Sequence, residues 1–252
     1  MCSETRPNAK PETVGCNPFR HSLQFENHSL IMTEIHPSYD YNFEKTFSDL
    51  LILKGGFLTN TAVKIIMGTF PPPKANLKSQ GEDYFFYPSN RNQFWNIIDI
   101  ANNDRNLGID KLKFTSKSHE TFSSNIQRKA SFSLYQKWAF LDFFTKIERR
   151  FPNSSKDIDL IDKGNIIEDK TLYEYLNLNS RIRQISCTYQ TAFINLLRCL
   201  HKDKFEITKV ADYEVLLNYQ NRKILINLLP PPTRSRMKLR DRVLKYTNSL
   251  YN

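Results

Sequence analysis

Three short segments of this chain combine residue types that can do chemistry. Met67-Gly68-Thr69-Phe70-Pro71-Pro72-Pro73-Lys74 pairs a glycine with three prolines. Gly68 lets a ligand approach the backbone closely, and the prolines hold the loop in one shape. Tyr87-Pro88-Ser89-Asn90-Arg91-Asn92-Gln93-Phe94-Trp95 opens an apolar-periodic stretch. The start of such a helix exposes N–H groups that favour a phosphate or a polarised water. Leu229-Pro230-Pro231-Pro232-Thr233-Arg234-Ser235-Arg236 sets two hydroxyls and two guanidinium groups on a stiff turn. That chemistry suits phosphate contacts or insertion into a minor groove.

These segments need elements to carry them. Val63 to Met67 is a short apolar run stopped by Gly68 and the prolines, and it predicts a buried strand entering the first loop. Trp138-Ala139-Phe140-Leu141, followed by Asp142, predicts a second strand. Ile182 to Cys187 predicts a third, and Lys223 to Leu229 a fourth that feeds the last loop. Helical faces are read at Phe43, Phe47, Leu50 and Leu51, at Phe94, Ile97, Ile98 and Ala101, and at Ala192, Phe193, Leu196, Leu197 and Leu200. A basic amphipathic helix closes the chain, and residues 153–170 read as an exposed acidic loop. Strands alternating with helices predict an α/β fold with three α/β/α layers around a mostly parallel, four-stranded sheet. Ligands of such sheets bind at the carboxyl ends of the strands, so the Pro-rich loops are expected on one rim. Residues 1–42 read as a polar N-terminal extension that packs on the domain, and 43–252 as the domain itself.

Composition narrows the class. Of 252 residues 40% are hydrophobic and 13% aromatic, which is ample material for a core. The formal net charge of +10 favours a polyanionic partner, nucleic acid before a membrane surface. Cys2, Cys16, Cys187 and Cys199 form no C-x-x-C pair, and the five histidines show no ligand spacing, so no metal, cluster or other cofactor is expected. A reducing, cytoplasmic compartment is the expected location. No segment is long and apolar enough to span a membrane. With seven glycines, no G-x-S-x-G elbow and no Gly-rich phosphate loop, an α/β hydrolase or a nucleotide-binding protein is disfavoured.

The order Gly-Thr-Phe-Pro at 68–71, an aromatic stretch at 84–87, Arg-Asn-Gln-Phe-Trp at 91–95 and the late Leu-Pro-Pro-Pro-Thr-Arg-Ser-Arg loop resembles the uracil-DNA glycosylase superfamily. The nearest branches are the mismatch-specific thymine/uracil and the hypoxanthine-DNA glycosylases. Trp138 to Asp142, with Arg149, Arg150, Ser154 and Asp157 downstream, resembles the central region of that group. The resemblance implies a monofunctional DNA glycosylase that acts on double-stranded DNA as a monomer and leaves an abasic site. Many members carry an acid or amide at the third position of the first loop, where Phe70 stands here. By resemblance to the hypoxanthine branch, Asn92 becomes the catalytic candidate, and Asp142 is the second.

Each residue also has a structural reading. Asn92 can cap the helix it opens, and Asp142 can cap a turn. Phe70 can pack the core or stack on an extruded base, and Tyr87 can line the pocket or brace the loop. Gly68, Thr69, Phe70, Pro71 and Tyr87 are the expected base-binding set. Thr233, Arg234, Ser235, Arg236, Lys74 and Arg91 are the expected DNA contacts. Uracil, mismatched thymine and hypoxanthine are the substrates the resemblance implies, while the altered loops leave open a bulkier modified pyrimidine in foreign (phage) DNA. A non-catalytic DNA-binding module on the same scaffold accounts equally for the charge and for Phe70.

Overall fold

The computed structural model describes residues 33–35, 50–51, 56–71, 73, 85–87, 92–104, 122–151, 154, 156–233 and 236–251. They fall within one compact unit, Ile31–Asn252. In chain order the strands are β1 (Glu34–Ile35), β2 (Leu50–Leu51), β3 (Gly56–Thr59), β4 (Lys64–Gly68), β5 (Trp138–Asp142), β6 (Phe144–Arg149), β7 (Leu160–Asn165), β8 (Gln184–Cys187), β9 (Ile207–Ala211), β10 (Glu214–Tyr219) and β11 (Arg222–Leu228). The helices are α1 (Phe94–Asp104), α2 (Phe122–Tyr135), α3 (Thr171–Leu178), α4 (Gln190–Lys202) and α5 (Leu239–Leu250).

The four strands expected from apolar runs are present, and they form the parallel centre, in the order β5-β4-β8-β11. The sheet is nevertheless larger than four strands. Antiparallel β3 flanks β5, and antiparallel β10 and β9 extend from β11, giving seven strands, with the two-residue β2 added outside β3. The extra strands escape an apolar-run reading for a physical reason. β9 is largely exposed, and β10 buries only every second residue, so neither forms a continuous run. The β10–β11 turn does leave a local trace. Gln220 and Asn221 both have positive φ, 47° and 63°, as a tight hairpin turn with right-handed twist requires.

Two other expectations are corrected. Leu50 and Leu51, read as part of a helical face, pair with β3 instead; the rest of that face lies outside the described residues. The region 153–170, read as an acidic loop, contains β7, which joins β1 and β6 in a separate antiparallel sheet. Ile166 and Ile167 just beyond it are buried. α2 was not anticipated at all, because its sequence is polar and basic.

Side chains of β4 alternate between two cores, as a strand covered on both faces must. Ile65 and Met67 join Ala139, Leu141 and Ile185 under α3 and α4. Ile66 joins Trp138 and Phe140 under α1, α2 and α5. The expected three layers are therefore present.

Candidate active site

The register of the parallel strands brings four loop starts to one rim. Gly68 lies opposite Asp142, Met67 opposite Cys187, and Cys187 opposite Leu228. From β4 the chain passes to β5 on one side, then to β8 on the other. β4 and β8 therefore flank a topological switch point, where the loops diverge and leave a crevice. The ladder runs a little beyond the strands. Phe143 N–H donates to the Gly68 carbonyl at 3.0 Å, Thr188 N–H to that of Met67 at 2.9 Å, and Leu229 N–H to that of Cys187 at 2.8 Å.

Gly68 is required here by close approach. A Cβ at this position would collide with Asp142 Oδ1 and would lie 3.3 Å from the Tyr87 hydroxyl. Asp142 is 6% exposed, so its carboxylate stands over the bare glycine at the mouth of the crevice. Tyr87 reaches the same point from the second loop. It has φ 61°, stacks on Phe94 with centroids 4.4 Å apart, and shares a 2.9 Å hydrogen bond with Thr188 Oγ1. Burial, reinforced by the Asp142 carboxylate, holds its phenol well above the ordinary range, so the hydroxyl stays protonated.

Asn92 sits at the head of α1. Its Oδ1 accepts from Phe94 N–H at 2.9 Å, and its Nδ2 donates to the Tyr189 hydroxyl at 3.0 Å. The capping role that its sequence position suggests is thus realised, and it coexists with a contact across the crevice. On the far side Thr69 Oγ1 donates to Asp157 Oδ2 at 2.8 Å. Burial raises the Asp157 carboxyl above its ordinary 3.8; bonds from Thr69 and Thr191 oppose that, and the Asp142 charge adds to it.

Folded Asp157 keeps its proton to higher pH than the unfolded chain does. Below pH 3.8 both states are protonated and there is no penalty. As pH rises through the folded value, the native carboxylate must ionise in a poorly hydrated place, and stability falls. Asp157→Asn is therefore expected to raise Tm at pH 7, with the gain vanishing under acid conditions. Equal melting of the two proteins at pH 7 refutes this.

The remaining expected site residues divide. Phe70 is half-buried, packed against the α3/α4 core and 5.7 Å from the Arg149 guanidinium. Pro71 is buried, and its carbonyl accepts from Arg149 Nη2 at 2.7 Å. Thr233 bridges Asn92 through the backbone, while Arg236 is exposed. Lys74, Arg91, Arg234 and Ser235 lie outside the described residues.

The structure adds residues that were not singled out as site candidates. Tyr189, Thr188 and Asp157 join the crevice, and Arg149 holds the first loop. Arg242, 4% exposed, ties the second loop to the third: it donates from Nη2 to Gln93 Oε1 at 2.6 Å and from Nη1 to the Thr233 carbonyl at 3.0 Å. Gln93 N–H donates to the Pro232 carbonyl at 2.8 Å, and the Tyr246 hydroxyl to that of Pro230 at 2.9 Å. Only Asp157 and Arg149 left a sequence signal, through the resemblance of their region. No group of three His, Cys, Asp or Glu among the described residues is arranged to hold a metal ion.

No protein-family model matches this chain, and no curated protein matches it. Among solved structures, the chain is similar to a candidate uracil DNA glycosylase from Methanosarcina acetivorans determined by solution NMR. The identity is 13% and the TM-score 0.46, over 77% of this chain and 92% of that one.

Proposed function

We propose that the chain is a monofunctional DNA glycosylase, which hydrolyses the N-glycosidic bond of a damaged, mismatched or modified base swung out of double-stranded DNA. The observation that carries this reading is the convergence of Gly68, Asp142, Tyr87, Asn92 and Tyr189 at the switch point of a parallel sheet. The net charge of +10 supports a DNA partner held through its phosphates.

In this reading the flipped base enters the crevice beside Gly68, whose missing side chain lets the Asp142 carboxylate close on the backbone. Thr69, Phe70, Pro71 and Tyr87 shape its walls. Bond breaking leaves a cationic, oxocarbenium-like sugar and an anionic base. The Asp142 carboxylate stabilises the sugar cation, and backbone N–H groups of the first loop face the departing base. Asn92 orients the attacking water. An amide is no general base, so catalysis rests on positioning and on the leaving group. Thr233, Arg234, Ser235 and Arg236 enter the groove, with Lys74 and Arg91 on phosphates.

The test is base release followed by alkaline cleavage of duplexes carrying uracil, mismatched thymine, hypoxanthine or modified cytosines. The modified cytosines separate repair from defence against foreign DNA. Release from at least one duplex is expected, with Asn92→Ala slower by about a hundredfold, a typical effect for one positioned group. A variant at full activity, or no release from any duplex, overturns the proposal. One observation favours a second reading, a DNA-binding module without catalysis. Both ends of the Asn92 amide are engaged within the protein, and Phe70 replaces an acid. Tight binding of abasic or mismatched duplex with no base release would select it.

A further inference from the structure

The orientation of the Asn92 amide has a consequence for Tyr189. Asn92 Oδ1 is fixed as an acceptor by Phe94 N–H at 2.9 Å. Its other end is therefore the NH2, and this donates to Tyr189 Oη at 3.0 Å. The phenol oxygen thus receives a hydrogen bond, and its single proton must point elsewhere. A hydroxyl that accepts one hydrogen bond donates a stronger one, because the two polarise in the same direction. Tyr189 lies two residues beyond β8, on the switch-point side of the crevice, and it is half-buried. It caps α4 without a side-chain bond to the helix, so its ring is not committed to the cap.

We propose that Tyr189 is a further catalytic residue, whose hydroxyl donates a hydrogen bond to the base oxygen on which negative charge collects as the glycosidic bond breaks. This inference rests on the glycosylase reading above. It also narrows the substrate class to bases with a carbonyl conjugated to the glycosidic nitrogen. The electron pair of the C1′–N bond moves to the nitrogen and spreads onto that oxygen, where Tyr189 holds it. The water oxygen, placed by Asn92, bonds to C1′, and its proton passes to solvent water. The base takes a proton from solvent after release. Tyr189 itself loses no proton. Burial, then the Asp157 and Asp142 charges, push its phenol up, so it remains a donor across the working range.

The experiment compares wild type and Tyr189→Phe in single-turnover release. It uses duplexes with the accepted base and with a derivative bearing an electron-withdrawing substituent, such as fluorine, that makes it a better leaving anion. Phenylalanine keeps the ring and removes only the hydroxyl. The variant is expected to lose about a hundredfold on the parent base, as for removal of one oxyanion donor. It should lose much less on the activated base, whose anion needs less help, with melting temperature and abasic-duplex affinity unchanged. An equal loss on both bases, or none, overturns the role of Tyr189 while leaving the glycosylase reading intact. A wild type that releases no base overturns both.

Discussion

Gly68→Ala is expected to abolish most base release and to destabilise the fold. The new methyl group would occupy the place of Asp142 Oδ1, with Asp142 Cγ 3.2 Å and the Tyr87 hydroxyl 3.3 Å away. Asp142 has a short side chain and is 6% exposed, so the carboxylate has little space to retreat into. Relief requires β4 and β5 to part where they are in register, or Tyr87 to give up its bond to Thr188. Forcing a methyl group into a packed site costs about 1–3 kcal/mol. Under the proposed function the effect on rate is larger, because displacing a catalytic group by about 1 Å costs on the order of a hundredfold, and the methyl group presses both on Asp142, proposed to act on the sugar, and on Tyr87, proposed to shape the base pocket. Release slower by about a thousandfold is expected in single turnover, along with a lower melting temperature. Gly164→Ala is the control. Its Cβ would lie 3.2 Å from Thr145 Oγ1 and 3.3 Å from Lys146 Cβ, contacts that small shifts relieve, and it belongs to the β6–β7 sheet rather than to the strands that form the crevice. If Gly68→Ala matches this control in rate and melting, the account of the crevice is wrong.

Arg242→Met is expected to be the most destabilising of the single changes considered. The guanidinium is almost fully buried and serves the Thr233 carbonyl and Gln93 Oε1, with a longer 3.4 Å contact to the Pro232 carbonyl. Methionine fills similar volume but donates nothing, so the half-buried Gln93 and Thr233 acceptors and the buried Pro232 carbonyl lose this partner. Each buried, unsatisfied acceptor costs about 1–3 kcal/mol. Relief of burying the cation offsets part of this, since Arg242 Nε already lacks a partner. A net loss of about 3 kcal/mol remains, or about 6–12 °C in Tm for a chain of this size. The same contacts join the Asn92 loop to the Pro-rich loop, so DNA affinity should fall as well. Arg242→Lys keeps the charge but lacks the planar fork, and should recover only part of the loss. Thermal melting and duplex binding decide the matter; a methionine variant as stable as wild type refutes the clamp.

The parts of the fold that were legible in the sequence share one property: their signal is local. β4 and β5 are buried on both faces and write their burial as short apolar runs, while β8 and β11 keep a weaker apolar signal, interrupted by Gln184, Ser186 and Asn227. α1, α4 and α5 write theirs as a face repeating every three to four residues. β9 and β10 border solvent, and their pairing depends on the neighbour that β11 supplies. α2 has a polar sequence, yet it covers Trp138 and Phe140 through Ala130 and Phe132.

The candidate site divides the same way. Gly68, Asp142 and the Pro-rich loops were read from their places at strand ends, because a parallel sheet sends those ends to one rim. Asn92 was read at a helix start, and it caps that helix. What lay beyond the sequence are contacts between residues far apart along the chain. Asn92 meets Tyr189 across 97 positions, Thr69 meets Asp157 across 88, and Gln93 meets Arg242 across 149. No periodicity or propensity relates such pairs, since both describe only neighbours within a few turns or strands. Residue type and local pattern determined which elements form and which strand ends carry chemistry. Strand register and helix packing alone decided that a tyrosine after β8 and an arginine in the last helix complete the crevice.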